Sequence, residues 1–218
     1  MDHRLLAEIL QSVADGQLDV PDAINKLRHL SFEDIEFAHV DHHRSLRKGF
    51  PEVIFGQGKT AEQVMGIMDK MTQQESILLV TRIEPDKADA VINRFPDAVY
   101  HPDARMIVWM LKQPEAIGRG TILIISAGTS DIPVAKEAFL TAQAMGNRVK
   151  TIFDVGVAGL HRLLSHRETI QKASVLIVVA GMEGALPSVV AGMVNRPVIA
   201  VPTSIGYGVS LGGLTALF

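Results

Sequence analysis

Residues 175–187 read VLIVVAGMEGALP and decide the fold, because an apolar run opens without a break into a glycine-bearing turn. Residues 122–131, ILIISAGTSD, show the same arrangement. Each stretch predicts a buried strand, a turn and then a helix. In a parallel α/β sheet such turns lie side by side at the carboxyl ends of the strands, where ligands bind. The pair of turns therefore predicts a site for a nucleotide phosphate.

The regular alternation of elements around these turns predicts a parallel sheet. Strands are expected at 121–126, 149–153, 175–179 and 198–201, separated by helices at 132–145, 160–171 and 185–193. Strands that alternate with helices of this length form right-handed βαβ units. Their near-continuous Val, Ile and Leu character fits a sheet covered on both faces. The predicted fold class is α/β, with helices on both sides of a parallel sheet.

A smaller α/β domain is expected before this sheet. Residues 113–120 carry proline and glycine and predict a linker, which gives an N-terminal domain at 1–115 and a C-terminal domain at 116–218. The N-terminal domain begins with a lead-in of two short helices, the first ending at Asp15-Gly16 and the second starting at Pro21. Strands at 52–55, 76–81 and 106–111 and helices at 60–71 and 87–94 are expected to follow.

The bulk composition excludes several classes of function. The chain has 218 residues, a net charge of −3 and 47% hydrophobic residues, which gives no electrostatic basis for binding nucleic acid. No run approaches the roughly 20 apolar residues of a membrane span, and the N-terminus does not resemble a signal peptide. We therefore expect a cytoplasmic protein without membrane contact. Cysteine is absent, which excludes disulfides and thiol nucleophiles within these residues.

Each of the two turns admits a functional and a purely structural interpretation. Residues 128–131 offer backbone N–H groups and two hydroxyls that suit a phosphate. Alternatively, Ser130 or Asp131 only caps the next helix. Glu183 could act as a general acid or base or bind a phosphate-bound divalent cation. The alternative is that it only stabilises its helix through the dipole.

The turn at 154–159 carries a third candidate, His161-Arg162, at the start of the next helix. This position lies near the same sheet edge, where an arginine suits a phosphate or a carboxylate. A solvated helix face that includes His166 and Arg167 is the alternative.

The N-terminal domain holds two further polar motifs. Residues 41–48, DHHRSLRK, are either an anion-binding arm or an exposed charged turn, and a metal site is disfavoured because adjacent histidines need a third ligand. Residues 56–60, GQGKT, resemble a P-loop, but the spacing requires glycine where Val53 stands, so ATP hydrolysis is unsupported. Lys59 could still hold a phosphate or carboxylate at the helix N-terminus.

Two families share these motifs. GTSD at 128–131, His161-Arg162, AGMEGALP at 180–187 and PVIAVP at 197–202 resemble the aminoimidazole ribonucleotide carboxylase fold, over roughly residues 119–209. DHHRSLRKGFPEVIFGQGKT at 41–60, GTSDIPVA at 128–135, DVGVAGLHR at 154–162 and GMEGALP at 181–187 resemble the LarB family of nickel-pincer nucleotide cofactor biosynthesis. The LarB resemblance covers about residues 40–213. It implies a flavodoxin-like, PurE-like C-terminal domain.

The LarB resemblance also implies an activity. Members carboxylate the pyridinium ring of nicotinic acid adenine dinucleotide with carbon dioxide or bicarbonate, then cleave its phosphoanhydride and release AMP, with magnesium. They assemble as octamers around the C-terminal domain. The resemblance implies Glu183 as the acid–base or metal-assisting residue. It implies a substrate site formed by Gly128, Thr129, Ser130, Asp131, His161, Arg162, Gly181, Met182, Gly184, Ala185 and Leu186, with Arg44, Arg47 and Lys59 as further anion clamps.

Three departures keep alternatives open. Purine carboxylases place a catalytic histidine at Ala185 and a phosphate-loop serine at Gly159, which argues against that activity here. The LarB family uses a cysteine thiolate, which this sequence lacks. Residues 212–218, GGLTALF, predict the first turn of a helix without a C-cap, so we expect a truncated sequence that lacks a helix and an edge strand. A purine-type carboxylase or mutase and a non-catalytic dinucleotide-binding module remain alternatives.

Overall fold

The computed structural model describes residues 3–28, 33–41, 44–204 and 211–217. The chain divides into two compact units, Met1–Lys112 and Gln113–Phe218. Each unit has its own apolar core. In the described ranges, no helix is both long enough and apolar enough to cross a membrane.

The N-terminal unit begins with the predicted pair of helices, α1 (His3–Ala14) and α2 (Val20–Arg28). Gly16 follows α1 with a φ of 70°, a left-handed conformation that favours glycine. Ile9 and Ala23 are buried where the two helices pack. A small hairpin and a short helix come next: β1 (Glu33–Asp34), β2 (His39–Val40) and α3 (Arg44–Lys48).

A mixed four-stranded sheet completes this unit. Its elements are β3 (Val53–Phe55), α4 (Ala61–Met71), β4 (Ile77–Thr81), α5 (Pro85–Arg94), β5 (Ala98–His101) and β6 (Met106–Met110). The strand order is β3-β4-β6-β5, with β3 parallel to β4 and the other two pairs antiparallel. β5 is not among the predicted strands, because this short strand lies between Pro96 and Pro102.

The C-terminal unit contains the predicted parallel sheet. Its elements are β7 (Thr121–Ser126), α6 (Ile132–Ala144), β8 (Arg148–Ile152), α7 (Leu160–Leu164), α8 (Arg167–Lys172), β9 (Val175–Ala180), α9 (Ala185–Ala191), β10 (Val198–Pro202) and α10 (Leu214–Leu217). The strand order is β10-β9-β7-β8, and every pair is parallel. Numbered within the unit, this is the order 2-1-3-4 of flavodoxin-like sheets.

Helices cover both faces of this sheet, which confirms the predicted three-layer αβα fold. Leu123 and Ile125 of β7 are buried on the same face as Leu163 of α7 and Leu186 of α9. The intervening residue, Ile124, is buried on the other face with α6. Because successive strand residues point to opposite faces, a strand that is apolar at every position can bury both.

One predicted helix is wrong in its extent. The sequence predicts a continuous helix over 160–171, whereas the structure has α7 and α8 separated at Ser165 and His166. The Ser165 hydroxyl donates a hydrogen bond to the Arg162 carbonyl at 2.7 Å, and His166 has a non-helical ψ of 12°. Leu163 and Ile170 are both fully buried, and their seven-residue spacing imitates one helical face. This periodicity explains the error.

Candidate functional site

The two glycine-bearing turns lie next to each other at the carboxyl edge of the parallel sheet. They follow β7 and β9, which are paired in register up to Ser126 and Val179. The Ala127 N–H donates a hydrogen bond to the Val179 carbonyl at 2.9 Å, so the pairing extends to the start of the turns. From β7 the chain moves to β8 on one side and then to β9 on the other. This reversal is the switch point at which α/β sheets bind ligands.

In the first turn, two polar side chains are exposed and one carboxylate is buried. Thr129 and Ser130 are exposed, whereas Asp131 is only 4% exposed. The Asp131 oxygen Oδ2 accepts a hydrogen bond from the Gly128 N–H at 2.9 Å, and Oδ1 accepts one from the Thr203 hydroxyl at 2.7 Å. Asp131 makes no side-chain cap to α6. The Asp131 carboxylate therefore bonds to the backbone of its own turn, and the side chains of Thr129 and Ser130 are exposed.

In the second turn, an exposed carboxylate stands between two residues of left-handed backbone. Met182 has a φ of 54° and Gly184 a φ of 65°. Glu183, between them, is exposed, and its side chain makes no hydrogen bond or ion pair with any other described residue. Ala185 begins α9, and Leu186 is buried in the core below it. The turn directs Glu183 towards solvent, and Leu186 supports the turn from inside.

The third turn, after β8, positions the predicted arginine through an acidic neighbour. Arg162 Nη1 donates a hydrogen bond to Asp154 Oδ2 at 2.7 Å, and the two side chains are 40% and 49% exposed. Asp154 has a φ of 59°. Gly159 allows this arrangement, because a Cβ there would lie 2.8 Å from Arg162 Nε. His161, on the same helix, is exposed.

Sequence reasoning missed two residues that shape this edge, Thr203 and Asp154. Thr203 follows β10, and its N–H donates to the Ala180 carbonyl at 3.0 Å, next to the second turn. Its partner Asp131 is 72 residues away in the chain, so no local motif indicates the contact. For Asp154 a signal existed, since an acidic residue directly after the predicted strand at 149–153 is expected at the ligand edge.

The remaining candidates belong to the N-terminal unit. Arg44 is exposed on α3. The same helix is held by a hydrogen bond that the Ser45 hydroxyl donates to the Glu75 carboxylate at 2.9 Å. Lys59 Nζ donates to the Phe55 carbonyl at 3.0 Å. The side chain of Arg47 and both histidines at 42–43 lie outside the described residues. Their role as anion clamps stays a prediction.

The carboxylates at the sheet edge suit magnesium only if a substrate supplies further ligands. Among the described residues, no group of three or more His, Cys, Asp or Glu side chains could hold a metal ion. Asp131 and Asp154 are already bonded within the chain. Of the three carboxylates described in these turns, Glu183 remains available. This fits Mg²⁺, which proteins commonly bind through one or two carboxylates together with substrate phosphates.

The comparisons with known proteins agree with this architecture. Residues 32–112 match the family described as the LarB/PurE-like N-terminal domain, and residues 121–218 match AIR carboxylase. The chain is 36% identical over 220 residues to an uncharacterized protein of Methanocaldococcus jannaschii, covering 97% of this chain and 86% of the relative. It is 38% identical over 99 residues to the N5-carboxyaminoimidazole ribonucleotide mutase of the same organism, covering 44% of this chain and 58% of the mutase.

The parallel sheet and its three turns define the C-terminal unit as an AIR carboxylase domain. An N-terminal domain of the LarB/PurE-like type precedes it. The chain belongs to the LarB family, and this membership points to carboxylase-type chemistry.

Proposed function

We propose that this protein carboxylates the pyridinium ring of nicotinic acid adenine dinucleotide and cleaves its phosphoanhydride, releasing AMP and the dicarboxylated mononucleotide. The observation that carries the proposal is the position of Glu183. It is an available carboxylate on a turn beside the hydroxyl-bearing turn of Thr129 and Ser130, at the switch point of the sheet. A dinucleotide offers both a phosphoanhydride for the first turn and a ring for the second.

Each half of the reaction gives Glu183 a defined task. In carboxylation, a ring carbon forms a bond to carbon dioxide and loses a proton, which a carboxylate base accepts. In hydrolysis, water attacks a phosphorus atom, the bridging P–O bond breaks, and the same base accepts the proton from water. When bound beside Glu183, magnesium would neutralise charge on the phosphates.

Arg162 is the proposed clamp for an anionic group of the substrate. Its pair with Asp154 is partly exposed and leaves other guanidinium N–H groups to contact a phosphate or the pyridine carboxylate. Arg44, Arg47 and Lys59 are proposed to bind the remaining anionic groups of the dinucleotide. The protein is also proposed to act as a homo-oligomer in the cytoplasm.

The carboxylation step requires a nucleophile to make the ring carbon electron-rich. The 218 residues contain no cysteine, so a thiolate for this purpose must come from outside them. Hydrolysis needs no such group. The two halves of the reaction should therefore be measured separately.

The test is to incubate the protein with the dinucleotide, Mg²⁺ and isotopically labelled bicarbonate, and to follow labelled carboxylate and AMP by mass spectrometry. We expect AMP release from the protein alone. We expect labelled product when a thiol compound is added to supply the thiolate. Glu183→Gln should lower AMP release by about 10²-fold or more, the usual contribution of a general base. Glu168→Gln, an exposed glutamate paired with Lys172, is the matched control and should keep full activity. Equal activity of both variants would refute the role of Glu183.

A purine-type mutase is the second candidate, supported by the similarity of 99 residues to the N5-carboxyaminoimidazole ribonucleotide mutase. It predicts turnover of carboxyaminoimidazole ribonucleotide and none of the dinucleotide. The presence of Ala185 where those enzymes carry histidine argues against it. Tight dinucleotide binding without either reaction would instead indicate a binding module.

A further inference from the structure

Three cationic residues lie at one edge of the N-terminal sheet, each on a different segment of the chain. Lys59 follows β3, Arg82 follows β4 and Arg105 precedes β6, and all three are half-buried. Because β3 and β4 are parallel, the segments after them leave the sheet at the same edge, and β6 enters there because it runs antiparallel to β4. The topology therefore gathers three positive charges that are distant in sequence.

The backbones of these segments are in direct contact. The Gly56 N–H donates a hydrogen bond to the Thr81 carbonyl at 2.7 Å, and the Ile83 N–H donates one to the Arg105 carbonyl at 3.0 Å. A Cβ on Gly56 would lie 3.1 Å from the Ile83 Cβ, so the segment after β3 passes close to the segment after β4. The three segments therefore form one locally packed edge.

Two of the three cations stand on strained backbone. Arg82 has a φ of 55° and Arg105 a φ of 50°, a left-handed conformation that favours glycine. Five non-glycine residues in the described ranges have a positive φ, and two of the others, Asp154 and Met182, lie in the ligand turns of the C-terminal unit. Because strained residues cluster at ligand sites, the strain here indicates a role for both guanidinium groups beyond folding.

The cations at this edge keep hydrogen-bond donors for an anion. Lys59 Nζ donates one of its three hydrogens to the Phe55 carbonyl at 3.0 Å. Arg105 Nη2 is bonded to Glu84 Oε1, and these two side chains are 41% and 51% exposed. Arg105 Nε is buried and has no hydrogen-bond partner among the described residues, so the guanidinium group is not fully satisfied. Glu84 offsets only part of the positive charge.

The start of α4 does not supply the phosphate cradle of a P-loop. The Thr60 hydroxyl accepts a hydrogen bond from the Gln63 N–H at 3.2 Å, and the Gln63 side chain accepts one from the Thr60 N–H at 3.0 Å. These two N–H groups are therefore already bonded within the helix cap. An anion at this edge has to be bound by the side chains of the three cations.

We propose that Lys59, Arg82 and Arg105 form an anion site of the N-terminal unit that binds a phosphate group. A phosphate presents several oxygens, which accept hydrogen bonds from an ammonium and from arginine forks at the same time. The phosphate is either free or part of a larger molecule. With the dinucleotide as its source, the proposal rests on the proposed function, whereas binding of free phosphate is independent of it.

The test uses the whole chain, with inorganic phosphate as the probe and hydrogen exchange followed by mass spectrometry as the readout. Phosphate should slow exchange of the amides at 56–60 and 82–84, and the concentration that gives half of this protection measures the affinity of this site alone. Lys59→Met and Arg82→Gly should each raise that concentration about tenfold, because each removes a hydrogen bond between charged groups. Arg94→Gln is the matched control, since Arg94 pairs with Asp69 near the other ends of α4 and α5, and it should change nothing.

Tm separates binding from a structural role of Arg82. Glycine adopts a φ of 55° without strain, so Arg82→Gly should melt within about 2 °C of the unmodified protein. Arg82→Lys, which keeps the charge, should bind phosphate within about threefold. If Lys59→Met and Arg82→Gly both leave the half-protecting concentration unchanged, the proposal is overturned.

Glu84→Gln should change phosphate affinity in the opposite direction. Removing this carboxylate releases Arg105 and removes a charge that repels the anion, so binding should become about threefold tighter. Asp69→Asn, which breaks the other exposed pair of the same unit, should leave phosphate binding unchanged. Unchanged or weaker binding in Glu84→Gln would contradict the site, because the pair with Arg105 would then serve the fold alone.

Nicotinic acid adenine dinucleotide is the second probe and identifies the source of the phosphate. If it protects 56–60 and Lys59→Met weakens this protection, the dinucleotide supplies the phosphate; if only inorganic phosphate protects these residues, the ligand is free phosphate. Phosphate protection at 56–60 in a protein that releases no AMP would mean that the proposed function fails and this site stands. No protection of 56–60 or 82–84 by either probe overturns the site.

Discussion

Gly184→Ala should destabilise the C-terminal unit, because the position disfavours a side chain for two separate reasons. Its φ of 65° costs an L-residue about 1–2 kcal/mol. The added Cβ would also lie 2.7 Å from the Ala216 carbonyl oxygen and 3.1 Å from the Ala216 Cα. Both are backbone atoms, so relief requires α10 to move away, which adds about 1–2 kcal/mol. The expected total is about 2–4 kcal/mol.

The chain offers a matched control in Gly192→Ala. Gly192 ends α9 with an ordinary φ of −68°, and the nearest atom to an added Cβ is the Val189 carbonyl oxygen at 3.5 Å. Alanine should therefore be neutral or stabilise by up to about 1 kcal/mol, since it lowers the entropy of the unfolded chain. The two glycine-to-alanine variants, eight residues apart in one unit, are expected to differ in sign.

Thermal unfolding by circular dichroism and hydrogen exchange measure the two effects. For a unit of this size, Gly184→Ala should lower Tm by roughly 10 °C. Exchange of the amides of residues 214–217 should become faster in this variant alone, because α10 loses its contact with the turn. If Gly184→Ala melts within about 1 °C of Gly192→Ala and leaves this exchange unchanged, the close packing of α10 on the turn is refuted.

Four further predictions concern the Arg162–Asp154 pair, the glycine beside it and the Tyr100 hydroxyl. Arg162→Lys should weaken dinucleotide binding about tenfold in calorimetry, because an ammonium cannot keep its bond to Asp154 and contact an anion with a planar fork. Unchanged affinity would contradict the clamp. Gly159→Ala should weaken binding similarly, since its Cβ displaces the Arg162 guanidinium, while Tm changes little because the backbone is not left-handed. Tyr100→Phe should keep or raise Tm, because the hydroxyl is buried without a hydrogen-bond partner among the described residues. Burial also raises the pKa of Tyr100 above its usual value near 10. The folded chain then holds a proton that the unfolded chain releases, so stability should fall as the pH rises past 10. The chain has two tyrosines, Tyr100 and Tyr207, so only Tyr100 forms a phenolate in the Tyr207→Phe variant. A titration midpoint of this variant at the usual tyrosine value would contradict the raised pKa.

Most of the C-terminal sheet could be predicted from the sequence, because β7, β9 and β10 are largely apolar runs bounded by glycine, proline or polar residues. The strands fall within one residue of their expected limits. In the N-terminal unit, three of the strands and most of the helices are predictable, but β5, the small hairpin and the direction of pairing are not. Nothing local to β6 indicates that it runs antiparallel to β4, since pairing depends on how the chain returns to the sheet.

The site is predictable to the extent that it follows strand ends. The turns at 128–131 and 181–184 and the arginine at 162 lie at the edge where parallel topology places them. The orientation of individual side chains is not predictable, because it depends on distant partners. Asp131 is predicted as a ligand residue, but nothing near it in the sequence indicates that the Thr203 hydroxyl bonds to its carboxylate. Nor does the sequence indicate that the side chain of Leu186 lies in the core.

The left-handed backbone of Met182 has a consequence for the balance between stability and readiness to bind. A methionine held at a φ of 54° costs about 1 kcal/mol that glycine would not. Glycine, however, would leave the turn free to sample many more conformations before the ligand arrives. The methionine restricts this freedom in advance, so less entropy is lost on binding. The strained backbone at Met182 therefore lowers the free energy of unfolding, while the backbone that carries Glu183 is restricted before any ligand binds.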